Sequence, residues 1–313
     1  MSLESDEGIG FEEQTVQNPS AEFIPPSVTI PVSDATHTYC SPVPQQILDN
    51  PEEECLLGVD EAGRGPVLGP MVYGVSYSLK SFEKTLQKKY GFADSKTLSE
   101  DKRTNLLKAI CDKDHDLYKN IGWCTTSLTA RDISAGMLKS SSQGNYNLNE
   151  QAHDTTIDLI KRVLAMKVNL TEIYIDTVGP PATYQRKLQD IFPHLKVTVA
   201  KKADAIYPCV STASVCAKVT RDISLAVSRT TEDPWGSGYP GDPKTVAWLK
   251  NNIDPVFGWG SMVRHSWQTT RDCLLKNGGV EFVWPDDVQK PEQFNDLFTK
   301  RADEITTQWY LVD

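Results

Sequence analysis

Two neighbouring carboxylates, Asp60 and Glu61, follow a short apolar run in GVDEAGRGPVLGP, residues 58–70. The two acids lie at the end of a predicted buried strand, and glycines and one arginine follow at once. This arrangement favours the binding of a cation beside main-chain groups. An acid pair alone can also open a solvated turn. The pattern gains weight because other acids are placed in the same way.

Two further acids follow predicted strands: Asp176 in TEIYIDTVG (171–179), and Asp204 shortly after LKVTVAKK (195–202). Binding crevices of open α/β sheets lie off the carboxyl ends of strands, so the four acids are expected to converge. Like charges repel, and a divalent cation with oxygen ligands relieves that repulsion. Two such ions could support phosphodiester displacement. The alternatives are a turn residue for Asp176 and a helix N-cap for Asp204.

The glycine loop after Glu61 carries a second chemical signal. Gly63, Gly65 and Gly69 do not fit GxGxxG, and no GK[ST] follows, which excludes a dinucleotide fingerprint and a Walker A loop. Glycines allow the main chain to approach a ligand closely, and Arg64 offers a planar fork for phosphate. The loop therefore predicts recognition of a sugar-phosphate beside the cations, or, alternatively, a tight turn with an exposed arginine.

The elements that must position these residues alternate along the chain. Strands are predicted at 56–60, 71–79, 121–129, 171–179 and 195–202, and helices at 99–111, 147–167, 182–192 and 207–227. Such alternation is typical of an α/β domain. Because the first two strands follow each other closely, we expect a mixed sheet with an antiparallel hairpin before the βα units.

Composition restricts the class of protein. Hydrophobic residues make up 39% of the 313 residues, enough for a sizeable core. No apolar run approaches 18 residues, and the acidic N-terminus lacks the apolar region of a secretory signal, so no membrane association is expected. The seven cysteines are scattered without a CxxC pair, which argues against a zinc site or a disulfide framework and favours a reducing compartment.

The net charge of −10 is unevenly distributed. Residues 1–57 carry 11 acids and no Lys or Arg, and residues 281–313 are also acidic, which leaves +6 on residues 58–280. A mildly basic body favours a polyanionic partner, although this excess is ordinary for a segment of that length. We predict a disordered acidic tail (1–45), an α/β domain (46–230) and a helical C-terminal extension (231–313).

Several motifs together resemble one family, the type 2 ribonucleases H, and within it the catalytic A subunits of the eukaryotic heterotrimeric enzymes. The resemblance spans about residues 41–275. It rests on DEAGRGPVLGPMVYG, DSKTL (94–98), NYNLNEQAHD (145–154), YIDTVGPP (174–181), KKADAIYPCVSTASVCAKVTRD (201–222) and GSGYPGDPKTVAWL (236–249).

The resemblance implies a ribonuclease H-like mixed sheet flanked by helices, with a helical C-terminal extension. It also implies cleavage of the RNA strand of RNA–DNA hybrids and incision 5′ to single ribonucleotides embedded in duplex DNA. The products would carry 5′-phosphate and 3′-hydroxyl ends. The implied cofactors are two divalent cations, Mg²⁺ or Mn²⁺. Two further protein subunits and a nuclear location, with the cytoplasm as a second compartment, are also expected.

The resemblance also assigns roles to individual positions. The metal-binding acids match Asp60, Glu61, Asp176 and Asp204. The loop whose backbone contacts the ribonucleotide 2′-hydroxyl and the adjoining phosphate matches Gly63, Arg64 and Gly65. The tyrosine that packs on the sugar past the RNA–DNA junction matches Tyr239 in GSGYP, and Lys96 in DSKTL matches a phosphate contact.

Two other functions remain open at this point. One is a poorly active nucleic-acid-binding subunit that needs partner chains for activity, which loss of any of the four acids would favour. The other is a two-metal nuclease of like fold that acts on DNA, against which the GRG loop and Tyr239 argue. Among the basic residues, Arg221 could contact a backbone phosphate or belong to solvated surface.

Overall fold

A six-stranded mixed sheet organises the chain in a computed structural model that describes residues 23–92, 98–144, 146–177, 180–229, 234–280 and 283–287. The strands are β1 (His37–Cys40), β2 (Cys55–Ala62), β3 (Met71–Leu79), β4 (Gly122–Leu128), β5 (Leu170–Asp176) and β6 (Lys196–Ala200). Their order is β1-β4-β3-β2-β5-β6. β2 and β3 form an antiparallel hairpin, whereas β2, β5 and β6 run parallel. The predicted α/β class and mixed sheet are confirmed.

Ten α-helices surround the sheet within the described ranges. They are α1 (Gln45–Asp49), α2 (Glu83–Tyr90), α3 (Glu100–Cys111), α4 (Asp116–Asn120), α5 (Ala130–Met137), α6 (Leu148–Ala165), α7 (Pro181–Ile191), α8 (Pro208–Ser228), α9 (Pro243–Asn251) and α10 (Gln268–Lys276). Local sequence determines several of their starts. Ser99 caps α3, and Asn147 with Glu150 forms a capping box on α6.

The two faces of the sheet are covered by different helices. Apolar residues of α6 and α7, among them Leu159 and Leu188, pack with Leu57 and Val59 of β2 in the main core. The small-residue helix α8 lies across the other face of β2 and β3. Because side chains alternate along a strand, Gly58 and Asp60 face α8, while Glu61 faces the side of α6 and α7.

Two glycines allow α8 to lie very close to the sheet. A Cβ on Gly58 would stand 2.3 Å from the backbone of Cys209 and Val210, and one on Gly74 would stand 2.7 Å from the carbonyl oxygen of Ala213. Asp60 and Gly74 are register partners, so this close approach sets the height of α8 above the strand that carries the acids.

We therefore expect Gly58→Ala to lower the free energy of unfolding by about 3 kcal/mol or more, because the clash is with backbone that cannot rotate away. Cleavage activity should fall as well, since α8 must move. Gly241→Ala is the matched control, because nothing lies within 4 Å of a Cβ at that position. Urea unfolding of both variants measures the difference; equal stability of the two would contradict this account of the packing.

Residues 23–45, predicted from the sequence to be part of the tail, belong largely to the described fold. β1 pairs with β4. The hydroxyl of Ser27 is hydrogen-bonded to that of Thr220 on α8 at 2.7 Å, and the Thr36 amide donates to Asp132 on α5. These long-range contacts involve isolated polar residues, which leave no periodic pattern in the sequence. Residues 1–22 lie outside the described residues.

The C-terminal region packs beneath the glycine loop. Val67 and Leu68 of the loop form a small core with Trp235, Leu249, Trp259, Val263 and Cys273, which come from α9, α10 and the segments around them. The extension therefore helps to shape the loop. Among the described helices, none is long and apolar enough to cross a membrane.

Candidate active site

Three of the four predicted acids lie at one edge of the sheet. Asp60 and Glu61 stand near the carboxyl end of β2, and Asp176 is the last residue of β5, its parallel neighbour. Parallel strands bring their carboxyl ends to the same edge, which is why residues 115 positions apart in sequence become neighbours. The charge of Asp176 acts on both Asp60 and Glu61.

Among the three carboxylates at the strand ends, Asp60 is the most deeply buried, with 5% of its surface exposed. The Ser214 hydroxyl of α8 donates to it, and its Oδ1 accepts from the Glu61 amide at 2.8 Å. Burial and the charges of Glu61 and Asp176 nevertheless raise the pKa of Asp60 to about 8. The protein thus holds a carboxyl group where its charge is poorly solvated.

Glu61 shares this environment from the opposite face of β2. Burial, reinforced by the charge of Asp176, raises the pKa of Glu61 to about 7, although the cations of Arg64 and Lys218 act in the other direction. Neighbouring acids with raised pKa values are typical of sites that bind a cation or a proton.

Asp204 occupies a short 3-10 turn, Ala203–Ala205, between β6 and α8, and is 3% exposed. The amide of Ala203 donates to Asp176 Oδ1 at 3.0 Å, which ties this turn to the end of β5. The alternative that Asp204 caps the following helix is wrong, because α8 begins at Pro208 with Tyr207 at its N-cap.

The donor set fits a divalent cation of the Mg²⁺ type, which prefers carboxylate oxygens. A cation there would stabilise the ionised forms of Asp60 and Glu61, whose raised pKa values record the repulsion and poor solvation of their charges. Among the described residues, no three His, Cys, Asp or Glu side chains already form a group that could hold a metal ion.

Arg264 fixes the glycine loop from below. Its fully buried guanidinium donates to the carbonyl oxygens of Gly63 at 2.6 Å, Arg64 at 2.9 Å and Gly69 at 3.0 Å. The Trp267 indole lies under the guanidinium at 4.7 Å and donates to the carbonyl of Gly65 at 3.1 Å. Three consecutive carbonyls of the GRG loop are therefore bound on the same side.

This arrangement orients the amides of the loop. In a trans peptide the N–H points opposite to the preceding C=O, so the amides of Arg64 and Gly65 point away from Arg264. Tyr239 lies beside the loop: its ring is 3.8 Å from the position of a Cβ on Gly65, and 48% of the residue is exposed. The loop and the tyrosine thus form one surface.

Gly63 has a positive φ of 76°, and a Cβ there would lie 2.4 Å from Nε of Arg221. Arg221 is 7% exposed, which excludes the solvated-surface interpretation. Its Nη1 donates to Asp222 at 3.2 Å, while its buried Nε and Nη2 have no hydrogen-bond partner among the described residues. The guanidinium carbon lies 5.9 Å from the Tyr239 ring centre.

Among the predicted site residues, Asp60, Glu61 and Asp176 lie at one sheet edge, and Gly63, Arg64, Gly65 and Tyr239 lie beside one another. Asp204 is joined to this edge through the Ala203 amide. Lys96 lies outside the described residues, so its position is open. Sequence reasoning missed Arg264, whose only signal is its place between apolar and aromatic residues in VRHSW. It also missed Ser214, which is one of many small residues on α8.

Comparison with known proteins agrees with this geometry. The family model of ribonuclease HII matches residues 57–270. The A subunit of ribonuclease H2 from Schizosaccharomyces pombe is 50% identical over 96% of this chain and 91% of that protein, and its Neurospora crassa counterpart is 50% identical over 92% of each. The ribonuclease H2 crystal structure from Pyrococcus horikoshii superposes with a TM-score of 0.59 at 28% identity, over 72% of this chain and 99% of that one. The chain belongs to the ribonuclease HII family, as the motifs around Asp60, Asp176 and Tyr239 predict.

Proposed function

We propose that this chain is a ribonuclease H that cuts the RNA strand of RNA–DNA hybrids and incises 5′ to single ribonucleotides in duplex DNA. The observation that carries the proposal is the juxtaposition of Asp60, Glu61 and Asp176 with the clamped GRG loop and Tyr239. Acids alone would suit many nucleases, whereas the loop adds a place to read a sugar.

The four carboxylates Asp60, Glu61, Asp176 and Asp204 would hold two divalent cations, Mg²⁺ or Mn²⁺. Bound there, such ions supply charge stabilisation of the attacking and leaving oxygens in phosphodiester hydrolysis. The chain's own contribution is to keep the acids at one sheet edge, with Ser214 orienting Asp60 and the Ala203 amide orienting Asp176. The products would be 5′-phosphate and 3′-hydroxyl ends.

Recognition of the ribonucleotide would come from main chain. Only the 2′-hydroxyl distinguishes a ribonucleotide from a deoxyribonucleotide with the same base. The amides of Arg64 and Gly65, directed away from Arg264, can read this hydroxyl and the adjoining phosphate without reading the base. Arg221 lies beside Gly63 with its Nε and Nη2 buried, so it would add positive charge behind the loop and not contact this phosphate directly. Specificity should therefore be independent of sequence.

Tyr239 would pack on the sugar that follows the RNA–DNA junction. We expect Tyr239→Ala to lower kcat/KM on a single embedded ribonucleotide by about tenfold or more, the size of a lost stacking contact, and Tyr239→Phe to retain most activity. Phe257→Ala is a control, because it also removes an aromatic ring and Phe257 is 82% exposed. Unchanged cleavage by Tyr239→Ala would exclude the ring from substrate binding.

The proposal is tested by one cleavage assay on two duplexes. A DNA duplex with one ribonucleotide should be cut on its 5′ side only when Mg²⁺ is present, whereas the all-DNA duplex should stay intact. Equal cutting of both duplexes would favour a DNA nuclease. No cutting by the chain alone, with cutting restored by partner chains, would identify a catalytic subunit that depends on its complex.

Assembly and location form part of the same proposal. The names of the Schizosaccharomyces pombe and Neurospora crassa relatives describe them as one subunit of ribonuclease H2, which supports assembly with other chains. We propose a heterotrimer in which the region after residue 275 contributes partner contacts. A substrate made during DNA synthesis favours the nucleus, with the cytoplasm as a second compartment.

A further inference from the structure

The helices α6 and α7 border a cavity of about 340 Å³ on the Glu61 side of the sheet. The residues that line it include the acids Glu61 and Asp176 and the basic residues Arg64 and Lys187. The cavity therefore joins the proposed catalytic edge directly, and carries positive charge beside the acids. Its volume is roughly ten times that of a water molecule, which suits one nucleotide unit and not a duplex.

Arg64 is held inside this cavity by two neighbours. Its Nη2 donates to the side-chain oxygen of Asn149 in the first turn of α6, and it is hydrogen-bonded to the phenol of Tyr73. Tyr73 is buried and is the register partner of Glu61 on β3. The guanidinium is thus held in place before an anion binds, so binding costs little conformational entropy of this side chain.

Lys187 supplies the second positive charge from α7. Its side chain is exposed, and within the described ranges it forms no salt bridge. His153 of α6 stacks on Tyr184 of α7 with ring centres 3.9 Å apart. Burial first, and then the charges of Lys187 and Arg64, lower the pKa of His153. Both cations therefore lie close to the same imidazole.

We propose that Arg64 and Lys187 form a second phosphate subsite, which holds a phosphodiester of the cut strand next to the scissile one. The inference rests on the proposed function, because the acids of the cavity are assigned to the cations. Paired cations on different elements, one fixed by hydrogen bonds and one without a salt-bridge partner, suit a phosphate that lies between α6 and α7. The contact would be independent of base sequence.

Lys187→Ala and Arg186→Ala make a matched pair. Both residues are exposed on α7 and both changes remove one positive charge, but Arg186 does not line the cavity. We expect Lys187→Ala to raise KM about threefold or more and to reduce the slope of log Kd against log salt by about one unit. Arg186→Ala should leave both quantities near those of the unmodified chain.

Substrates with one neutral methylphosphonate identify the phosphate. At the contacted position, the modified duplex should bind Lys187→Ala and the unmodified protein equally, because the charge that Lys187 meets is gone. The proposal is overturned if the difference persists at every position around the scissile bond, or if Lys187→Ala and Arg186→Ala have the same salt dependence. Failure of the proposed function itself would appear separately, as an unmodified protein that does not cut at ribonucleotides.

Discussion

Asp60→Asn should abolish cleavage and at the same time stabilise the metal-free protein. The loss of activity follows because a neutral amide is a poor ligand for the cations that the acids would hold; we expect a decrease of about 10³-fold or more. The gain in stability follows from the burial of Asp60 beside Glu61 and Asp176, which disfavours its charged form. A residue selected for packing alone would not show both effects.

The raised pKa of Asp60 predicts how the free energy of unfolding changes with pH. The pKa of Asp60 is raised to about 8 in the folded protein, against about 4 in an unfolded chain. Between these values the folded state keeps a proton that the unfolded state loses, so stability falls as pH rises from about 4 to 8. In EDTA, Asp60→Asn should therefore be more stable than the unmodified protein at pH 8, by up to about 5 kcal/mol, the equivalent of about four pKa units, and similar to it near pH 4.

Thermal unfolding with and without Mg²⁺ measures both parts. Mg²⁺ should raise the Tm of the unmodified protein and leave that of Asp60→Asn nearly unchanged, because a ligand stabilises only the state that binds it. Asp190→Asn is the control, since Asp190 lies on α7 away from the cluster. An Asp60→Asn protein that is destabilised at pH 8, or that still cuts, would contradict the proposed role.

Arg264→Lys should produce the second large effect. Lysine is a compact point charge and cannot reach the three carbonyl oxygens that the guanidinium fork binds at 2.6–3.0 Å. The Gly69 carbonyl left without a donor is buried, and those of Gly63 and Arg64 are half-buried, so we expect the free energy of unfolding to fall by about 2–4 kcal/mol. The loop amides should also lose their fixed direction, which would weaken recognition of the ribonucleotide.

Two readouts separate a loop defect from general destabilisation. Measured well below its Tm, Arg264→Lys should lose much of its preference for a single embedded ribonucleotide over the corresponding deoxyribonucleotide, whereas the control Arg271→Lys, exposed on α10, should keep it. If Arg264→Lys remains as stable and as selective as the unmodified protein, the clamp does not position the loop.

Much of the fold could be predicted because its regular elements are long and periodic. The strand Met71–Leu79 has the predicted bounds, and the helices α3, α6 and α8 begin within one residue of their predicted starts. β1 and the short helices α1 and α4 were not predicted. Elements of four or five residues carry too few apolar positions to show a period, and β1 forms by pairing with a distant strand.

The candidate site also contains residues that the sequence predicts and residues that it does not. The acids were predictable because each follows a strand, and the sheet brings strand ends together. Arg264, by contrast, binds carbonyl groups about 200 residues away, and no local sequence pattern predicts such a contact. The sequence allowed two interpretations of Arg221, a phosphate contact or a solvated surface residue. Only its tertiary packing against Gly63 shows that it is buried.

The most direct test of the central claim is anomalous diffraction from crystals of the active protein soaked with Mn²⁺. We predict manganese peaks within coordinating distance of the carboxylates of Asp60, Glu61, Asp176 and Asp204, on the side of the GRG loop that faces away from Arg264. Peaks at other residues only, or carboxylates that stay apart in the presence of Mn²⁺ while the protein still cuts at ribonucleotides, would contradict it.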